Sequence, residues 1–202
     1  GTINPVTEIV RLAKRRGLPV TAEVTPHHLL LTEDLAATYD PRYKVNPPLR
    51  TADDVAALRA GLADGTIDAV ATDHAPHPVE DKDCEWDAAA FGMLGLETAL
   101  SVVQATMVET GLISWSDVAD RLSAAPARIG RCNSGDAAQG RPLAAGEPAN
   151  LVLLDPTVRR VLDVRELASL SRNTPFEGMT LPGRVVATFL RGRPTVLDGK
   201  LA

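Results

Sequence analysis

Between residues 5 and 72 the sequence alternates twice between a helical pattern and a short buried-strand pattern. Residues 5–16 place apolar side chains at helical spacing, and the β-rich residues 19–25 follow them. The same order recurs, with a helix predicted over 51–63 and a strand over 67–72. Because helices that alternate with buried strands are typical of parallel sheets, the pattern predicts an α/β fold.

The helix boundaries follow from capping residues. Thr51, with Asp54 three residues later, has the spacing of a capping box at the start of the second helix. Further along, the sequence predicts a helix from about Leu96 to Glu109 and another over Ser116–Leu122, with Ser116 as its N-cap.

From Leu143 onward the pattern changes to short strands that are separated by Gly and Pro, which predicts a small β region beginning near residue 140. An eight-stranded (β/α) barrel needs about 250 residues, and the two predicted parallel strands cannot close one. The chain is therefore either a small α/β unit with a β tail or the last quarter of a barrel. These patterns do not decide between the two.

Composition excludes several classes of function. With 45% hydrophobic residues the 202-residue chain can form a real core, and a net charge of -5 without a basic stripe argues against nucleic acid as a partner. No apolar run reaches membrane-spanning length and no signal peptide is visible, so we expect a soluble cytoplasmic protein without membrane contact. Cys84 and Cys132 lack the CxxC spacing of a thiolate metal site.

Potential catalytic groups are concentrated early in the chain, where all four histidines lie within residues 27–77. Asp73 directly follows the second strand, at the position where α/β proteins place active sites. Its carboxylate could ligate a divalent metal and move a proton, and His77 could donate to a substrate oxygen. Asp73 could equally cap a turn, and spacing alone supports both interpretations.

Other polar residues have a structural and a functional interpretation. His27 and His28 would point in opposite directions on an extended backbone, so at most one faces a site, and a structural role is favoured for both. Asn46 lies in an Asn-Pro-Pro turn that could hold its amide towards a ligand, although Asn is also a common turn residue. Gly92, after Phe91, could let a flat substrate approach the backbone closely, or could simply form a tight turn.

Several segments together resemble the class I dihydroorotases of the amidohydrolase superfamily. The match follows the family order across nearly the whole chain and covers the C-terminal half of a family member. The segments that carry it are AEVTPHHLLL (22–31), KVNPPLR (44–50), ATDHAPH (71–77), FGMLGLETAL (91–100) and SRNTPFEGMTLPGRV (171–185).

The resemblance implies a fold in two parts. Residues 1–139 would form the C-terminal part of a TIM (β/α)8-type metal-dependent hydrolase barrel, namely its last two strands and helices, and residues 140–202 a small β-sandwich appendage. It implies that Asp73 ligates zinc and acts as general acid and base. It also implies that Asn46, His77 and the dipeptide Phe91-Gly92 bind the substrate.

The implied activity is the reversible cyclisation of N-carbamoyl-L-aspartate to L-dihydroorotate in pyrimidine biosynthesis, with two Zn²⁺ ions per active site. The family's His-x-His motif, its substrate-binding Arg, its bridging Asp or Lys and two further His ligands do not occur in this sequence. The start of the chain is therefore expected to be a truncation or a joint, and the isolated chain is expected to be inactive. Its expected partners are the N-terminal half of the barrel, a second copy in a homodimer, and aspartate carbamoyltransferase.

Two alternatives are open. Another cyclic amidohydrolase, such as a hydantoinase, dihydropyrimidinase or allantoinase, would share the fold and the metals, but the set Asn46, His77 and Phe91-Gly92 argues against it. A catalytically inactive scaffold for aspartate carbamoyltransferase would explain the absent His-x-His motif. Retention of Asp73 and His77 argues against that second alternative.

Overall fold

A computed structural model of the protein describes residues 3–135 and 138–202. Both helices and strands are present, so the predicted α/β class is confirmed. The helices are α1 (Ile3–Arg15), α2 (Pro26–Leu30), α3 (Ala52–Asp64), α4 (Val79–Lys82), α5 (Ala99–Val103), α6 (Trp115–Ala119) and α7 (Ala125–Ile129). The strands are β1 (Glu23–Val24), β2 (Ala69–Val70), β3 (Leu151–Val161), β4 (Thr180–Leu190), β5 (Arg193–Leu197) and β6 (Lys200–Leu201). Within these described ranges no helix combines the length and the apolar character needed to cross a bilayer.

Strands β1 and β2 form a parallel pair, in which Glu23 lies opposite Ala69 and Val24 opposite Val70. Each strand has two residues, which is shorter than the predicted ranges 19–25 and 67–72. A ladder extends only as far as a neighbouring strand accompanies it, and in the described residues β1 and β2 pair with each other alone. The hydrophobic pattern predicts which residues are suited to a strand, whereas the length of the strand depends on the neighbouring strand with which it pairs.

Helix α3 begins and ends as its sequence predicts. The hydroxyl oxygen of Thr51 accepts a hydrogen bond from the backbone N–H of Asp54, and Gly65 ends the helix in a left-handed conformation. The predicted cap of α6 is wrong by two residues. Ser114, not Ser116, is the N-cap, because its hydroxyl accepts from the backbone N–H of Asp117 and the Asp117 carboxylate accepts from the backbone N–H of Ser114.

The helix predicted from Leu96 begins only at Ala99. The backbone N–H groups of Gly95 and Leu96 donate instead to Nδ1 of His74, at 3.1 and 3.3 Å. These bonds hold residues 95–98 in a turn that follows the segment after β2. After Val103 the helix continues as a wider π-helical turn over Gln104–Val108.

The strands after residue 150 form one four-stranded antiparallel sheet in the order β3-β4-β5-β6. Residues 151–161 form a single long strand, β3, and its pairing with β4 shifts between Asp155 and Arg159. This sheet is the part of the chain that the Gly- and Pro-punctuated pattern predicts.

Two clusters of buried apolar side chains form the core. The first lies around the parallel strands and includes Val24, Leu62 and Val70. The second joins Met93 to Phe176, together with other side chains from both sides of residue 140. The segment between β3 and β4 therefore packs directly against the loops that follow β2. The members of this second cluster are Leu31, Val45, Leu49, Met93, Leu94, Val102, Leu162, Leu167, Phe176 and Leu181.

Candidate active site

Asp73 lies just beyond the carboxyl end of β2, where the backbone changes direction. Its φ is 47°, in the left-handed region that few residues other than glycine adopt and that Asp tolerates better than most. The chain then runs beside Met93, with the backbone N–H of Ala75 donating to the Met93 carbonyl oxygen at 3.0 Å. Unusual backbone conformations of this kind cluster at functional sites.

The side chain of Asp73 is exposed and lines a cleft of about 800 Å³. Asn46, which is also exposed, lines the same cleft, so the structure brings these two predicted residues together. The carboxylate of Asp73 makes no hydrogen bond or ion pair within residues 3–135 and 138–202. Both of its oxygens are therefore free to accept a proton or bind a cation. The other polar residues along this cleft are Thr7, Glu23, Thr25, His28 and Arg50.

His28 supports the turn that carries Asn46. Its Nε2 lies 3.0 Å from the carbonyl oxygen of Pro47, and its Nδ1 lies 2.7 Å from the hydroxyl of Thr25. A carbonyl oxygen can only accept, so Nε2 carries the hydrogen and Nδ1 accepts from the Thr25 hydroxyl. Burial lowers the pKa of His28, against the opposing effects of nearby backbone carbonyls and Asp73. A neutral His28 thus ties the end of β1 to the turn beside Asn46.

His27 and His28 do not lie on an extended strand, as the sequence interpretation assumed, but on helix α2. Thr25 caps this helix and Pro26 occupies its first turn, which is a favoured combination. Only His28 lines the cleft. His27 is 1% exposed, and its Nε2 has no hydrogen-bond partner within residues 3–135 and 138–202. Its pKa falls to about 3 because of burial and then the neighbouring His28.

The other predicted residues form a second group beside the first. Nε2 of His77 donates to the carbonyl oxygen of Phe91 at 2.9 Å, and Phe91 is itself 58% exposed. His77 lines a smaller pocket of about 220 Å³, which does not include Asp73 or Asn46. The structure therefore places His77, Phe91 and Gly92 in contact with one another, but not in the cleft of Asp73.

Gly92 is required at its position for two reasons. Its φ is 120°, which side chains rarely permit, and a Cβ atom added to it would lie 2.5 Å from Cβ of Ala75 and 3.3 Å from Nε2 of His77. Its own backbone groups are already occupied. The N–H donates to the carbonyl oxygen of Lys44, and the carbonyl oxygen accepts from Lys82 and Asn173. Gly92 thus serves first to bring its backbone close to His77.

Two lysines that the sequence analysis did not single out hold the loop that ends at Gly92. Nζ of the buried Lys82 donates to the carbonyl oxygens of Ala90 at 2.8 Å and Gly92 at 2.9 Å. Burial, followed by the charge of Lys44, lowers the pKa of Lys82 to about 8. Nζ of Lys44 donates to the carbonyl oxygen of Trp86 and lies 4.6 Å from the centre of the Phe91 ring. No motif around Lys82 could have indicated this role, since its partners are backbone carbonyls.

The described residues do not assemble a complete metal site. No group of three or more His, Cys, Asp or Glu side chains within 3–135 and 138–202 is arranged to hold a metal ion. Asp73 is the single predicted ligand, and its exposed carboxylate, which has no partner among the described residues, suits that role. A catalytic zinc takes three protein ligands, so Asp73 by itself would not hold one.

Comparison with known proteins reveals close relatives. A dihydroorotase from Streptomyces coelicolor is 66% identical over 194 residues, covering 96% of this chain, and a dihydroorotase from Mycobacterium tuberculosis is 56% identical over 194 residues. The chain spans 44% of the length of each of these relatives and corresponds to their C-terminal half. No family model matches the chain.

Solved structures of a neighbouring group have the same fold. An L-hydantoinase (dihydropyrimidinase) from Arthrobacter aurescens superimposes with a TM-score of 0.90 at 32% identity, over 98% of this chain and 44% of that protein. A D-hydantoinase (dihydropyrimidinase) from a Thermus species gives a TM-score of 0.83 at 27% identity, again over 98% of this chain and 44% of that protein.

Proposed function

The chain matches the C-terminal half of dihydroorotases over nearly its whole length, and we propose that the protein containing it is a dihydroorotase. The reaction is the reversible cyclisation of N-carbamoyl-L-aspartate to L-dihydroorotate. The observation that carries the proposal is the position of Asp73 at the carboxyl end of a parallel strand. Its carboxylate, which has no partner among the described residues, opens into the cleft that also contains Asn46.

We propose that residues 1–139 belong to the C-terminal part of a (β/α)8 barrel and that residues 140–202 belong to a small β-sandwich. The parallel pair β1-β2 with helices α1 and α3 supports the first assignment, because strand, helix and parallel strand are the repeating unit of a barrel. The antiparallel sheet β3-β4-β5-β6 supports the second. A sandwich requires a second sheet, which would come from sequence beyond the four strands described.

Asp73 fits the role of one zinc ligand, and the other ligands would come from the part of the relatives that this chain does not match. Zinc, when bound, lowers the pKa of water so that hydroxide forms near neutral pH. We expect two zinc ions per active site.

In the hydrolytic direction, Asp73 accepts the proton of the attacking water as the new C–O bond forms at the ring amide carbonyl. It then delivers that proton to the ring nitrogen as the C–N bond breaks. In the cyclising direction the same group removes the proton from the attacking nitrogen and returns it to the departing water. An exposed carboxylate without competing donors suits such a shuttle, because neither protonation state loses a hydrogen bond within the described residues.

Asn46, His77 and Phe91-Gly92 are proposed to bind the substrate. The Asn46 amide provides an N–H donor for a carboxylate or ring carbonyl. His77 already uses Nε2–H on Phe91, so a neutral ring offers only an acceptor at Nδ1. Donation from Nδ1 to a substrate carboxylate therefore requires protonated His77, or a rotation that releases Phe91.

A second candidate is another cyclic amidohydrolase, which the structural likeness to hydantoinases favours. The two candidates make different predictions for substrates. The protein at its natural length, loaded with zinc, should open the ring of L-dihydroorotate with a kcat/KM at least about a hundredfold above that for hydantoin or allantoin. A preference for hydantoin would refute the dihydroorotase assignment.

We also propose a location, an oligomeric state and a partner for the enzyme. We expect a cytoplasmic homodimer that associates with aspartate carbamoyltransferase, and we expect residues 1–202 alone to be inactive on dihydroorotate. Sedimentation of the protein at its natural length, with and without the carbamoyltransferase, tests the first expectation. A turnover assay of the isolated chain tests the second.

A further inference from the structure

Asn173 lies in the segment between β3 and β4, about 100 residues after Asp73 in the sequence, yet its side chain reaches the loops of the candidate site. The residue is 4% exposed. Its Oδ1 accepts a hydrogen bond from the backbone N–H of His77 at 3.2 Å, and its Nδ2 donates to the carbonyl oxygens of Ala75 at 2.8 Å and Gly92 at 3.4 Å. One amide group therefore bonds to both of the segments that carry proposed substrate-binding residues.

The partners of Asn173 fix the orientation of its amide and require an amide at this position. A backbone N–H can only donate and a carbonyl oxygen can only accept, so Oδ1 must face His77 and Nδ2 must face Ala75 and Gly92. An Asp side chain would keep the acceptor but lose the donor, and it would place a carboxylate oxygen beside two carbonyl oxygens. An Ala side chain would lose all three bonds and take away the partner that Asn173 provides to the partly buried His77 N–H and Ala75 carbonyl oxygen.

The backbone around Asn173 is itself firmly held. Its carbonyl oxygen accepts from the N–H of Leu94 at 3.1 Å, and its neighbour Thr174 is fully buried. Phe176, three residues on, is also fully buried in the cluster that contains Met93. The amide is therefore presented to the loops from a rigid support and not from a mobile surface segment.

We infer that Asn173 is a positioning residue of the proposed dihydroorotase site, which holds the His77 segment against the Phe91-Gly92 segment. The bond from His77 Nε2 to the Phe91 carbonyl oxygen connects the same two segments, so the direction of the imidazole depends on their separation. Through Asn173 the region after residue 150 controls the geometry of a substrate-binding side chain. The kinetic consequence of this inference rests on the proposed function, whereas the role of Asn173 in holding the two segments together does not.

The test uses the protein at its natural length with Asn173→Ala, Asn173→Asp and a matched control, Asn150→Ala. Asn150 is also an asparagine whose side chain joins two backbone segments, since it accepts from Arg191 N–H and donates to the Ala138 carbonyl oxygen, away from the site. Exchange of the His77 backbone amide hydrogen, followed by NMR, reports the first bond directly. We expect this exchange to be at least about tenfold faster in Asn173→Ala than in the parent and unchanged in Asn150→Ala.

Kinetics supply the second readout. In Asn173→Ala the KM for L-dihydroorotate should rise about tenfold with a smaller change in kcat, and Asn150→Ala should stay within about twofold of the parent. In a His77→Ala background, Asn173→Ala should raise KM no further, because its effect passes through His77. If Asn173→Ala does not fold, Asn173→Asp takes its place in both kinetic comparisons, because it retains the size of the native side chain.

The outcomes separate the inference from the proposed function. Equal His77 exchange rates in the Asn173 and Asn150 variants, or a KM effect of Asn173→Ala that is fully additive with His77→Ala, would overturn the positioning role. A parent protein that does not open dihydroorotate would refute the proposed function, while the exchange measurement would still decide on Asn173.

Discussion

Replacing Gly92 with alanine tests the close approach between Gly92 and His77. The added Cβ atom would lie 2.5 Å from Cβ of Ala75 and 3.3 Å from Nε2 of His77, at a φ of 120°. The unfavourable backbone conformation costs about 1 to 3 kcal/mol. Relieving an overlap of this size in a packed region costs about a further 1 to 3 kcal/mol. We therefore expect Gly92→Ala to lower the free energy of unfolding by about 2 to 6 kcal/mol.

Gly17→Ala and Gly111→Ala are the matched controls. Both glycines have a positive φ, of 72° and 74°, and beyond their immediate chain neighbours no atom of the described residues lies within 4 Å of an added Cβ. These variants therefore contain the backbone cost, about 1 to 2 kcal/mol, without the overlap. The excess loss in Gly92→Ala combines the contact with Ala75 and His77 and the less favourable backbone conformation at a φ of 120°.

Guanidinium unfolding followed by circular dichroism gives the three stabilities, and the KM for dihydroorotate gives the effect on the site. Gly92→Ala should be the least stable variant and the only one of the three with a raised KM, because displacement of Ala75 or His77 alters the position of a proposed substrate-binding group. If all three variants lose the same stability and keep the same KM, the reasoning about this contact is wrong.

Three further changes test local features. Thr51→Ala should lower the free energy of unfolding by about 1 kcal/mol because it removes the cap of α3, whereas Thr21→Ala, at an exposed position, should change it by less than about 0.5 kcal/mol in chemical denaturation. The folded-state pKa of His27, about 3, lies below its ordinary 6.5, so the unfolded chain binds more protons in that range. The free energy of unfolding should therefore fall as the pH drops from 6.5 towards 3, by a few kcal/mol in total, and His27→Phe should flatten this slope in an acid titration of stability. The folded-state pKa of Lys82, about 8, lies below its ordinary 10.5, so the unfolded chain again binds more protons between these values. The free energy of unfolding should therefore rise between pH 8 and 10.5, and Lys82→Met should remove this rise.

Features that depend on nearby residues could be predicted from the sequence. Thr51 caps α3 through a residue three positions away, and Asp73 follows a short apolar strand at the place where parallel sheets carry their sites. The Thr25-Pro26 pair is a capping signal of the same local kind. It could have revealed helix α2 and corrected the extended conformation assumed for His27 and His28.

Features that depend on distant partners could not be predicted. Lys82 bonds to backbone carbonyls, which every residue possesses, so its surroundings in the sequence carry no distinguishing pattern. Asn173 lies 96 residues from His77, and only the packing of the segment after β3 against the site loops brings them together. The division of the predicted residues between two neighbouring pockets likewise depends on the path of the loop from Asp73 to Gly92.

The measurement that tests the central claim most directly is the turnover of L-dihydroorotate by Asp73→Asn, in the protein at its natural length and at equal zinc content. Asn keeps the shape of the side chain but cannot shuttle a proton, so kcat/KM should fall by at least about 10²-fold to 10⁴-fold while the circular dichroism spectrum stays unchanged. Asp34→Asn, at an exposed carboxylate that accepts a hydrogen bond from Thr32, should retain the parent rate. An Asp73→Asn protein with kcat/KM within about threefold of the parent would contradict the assignment of this site.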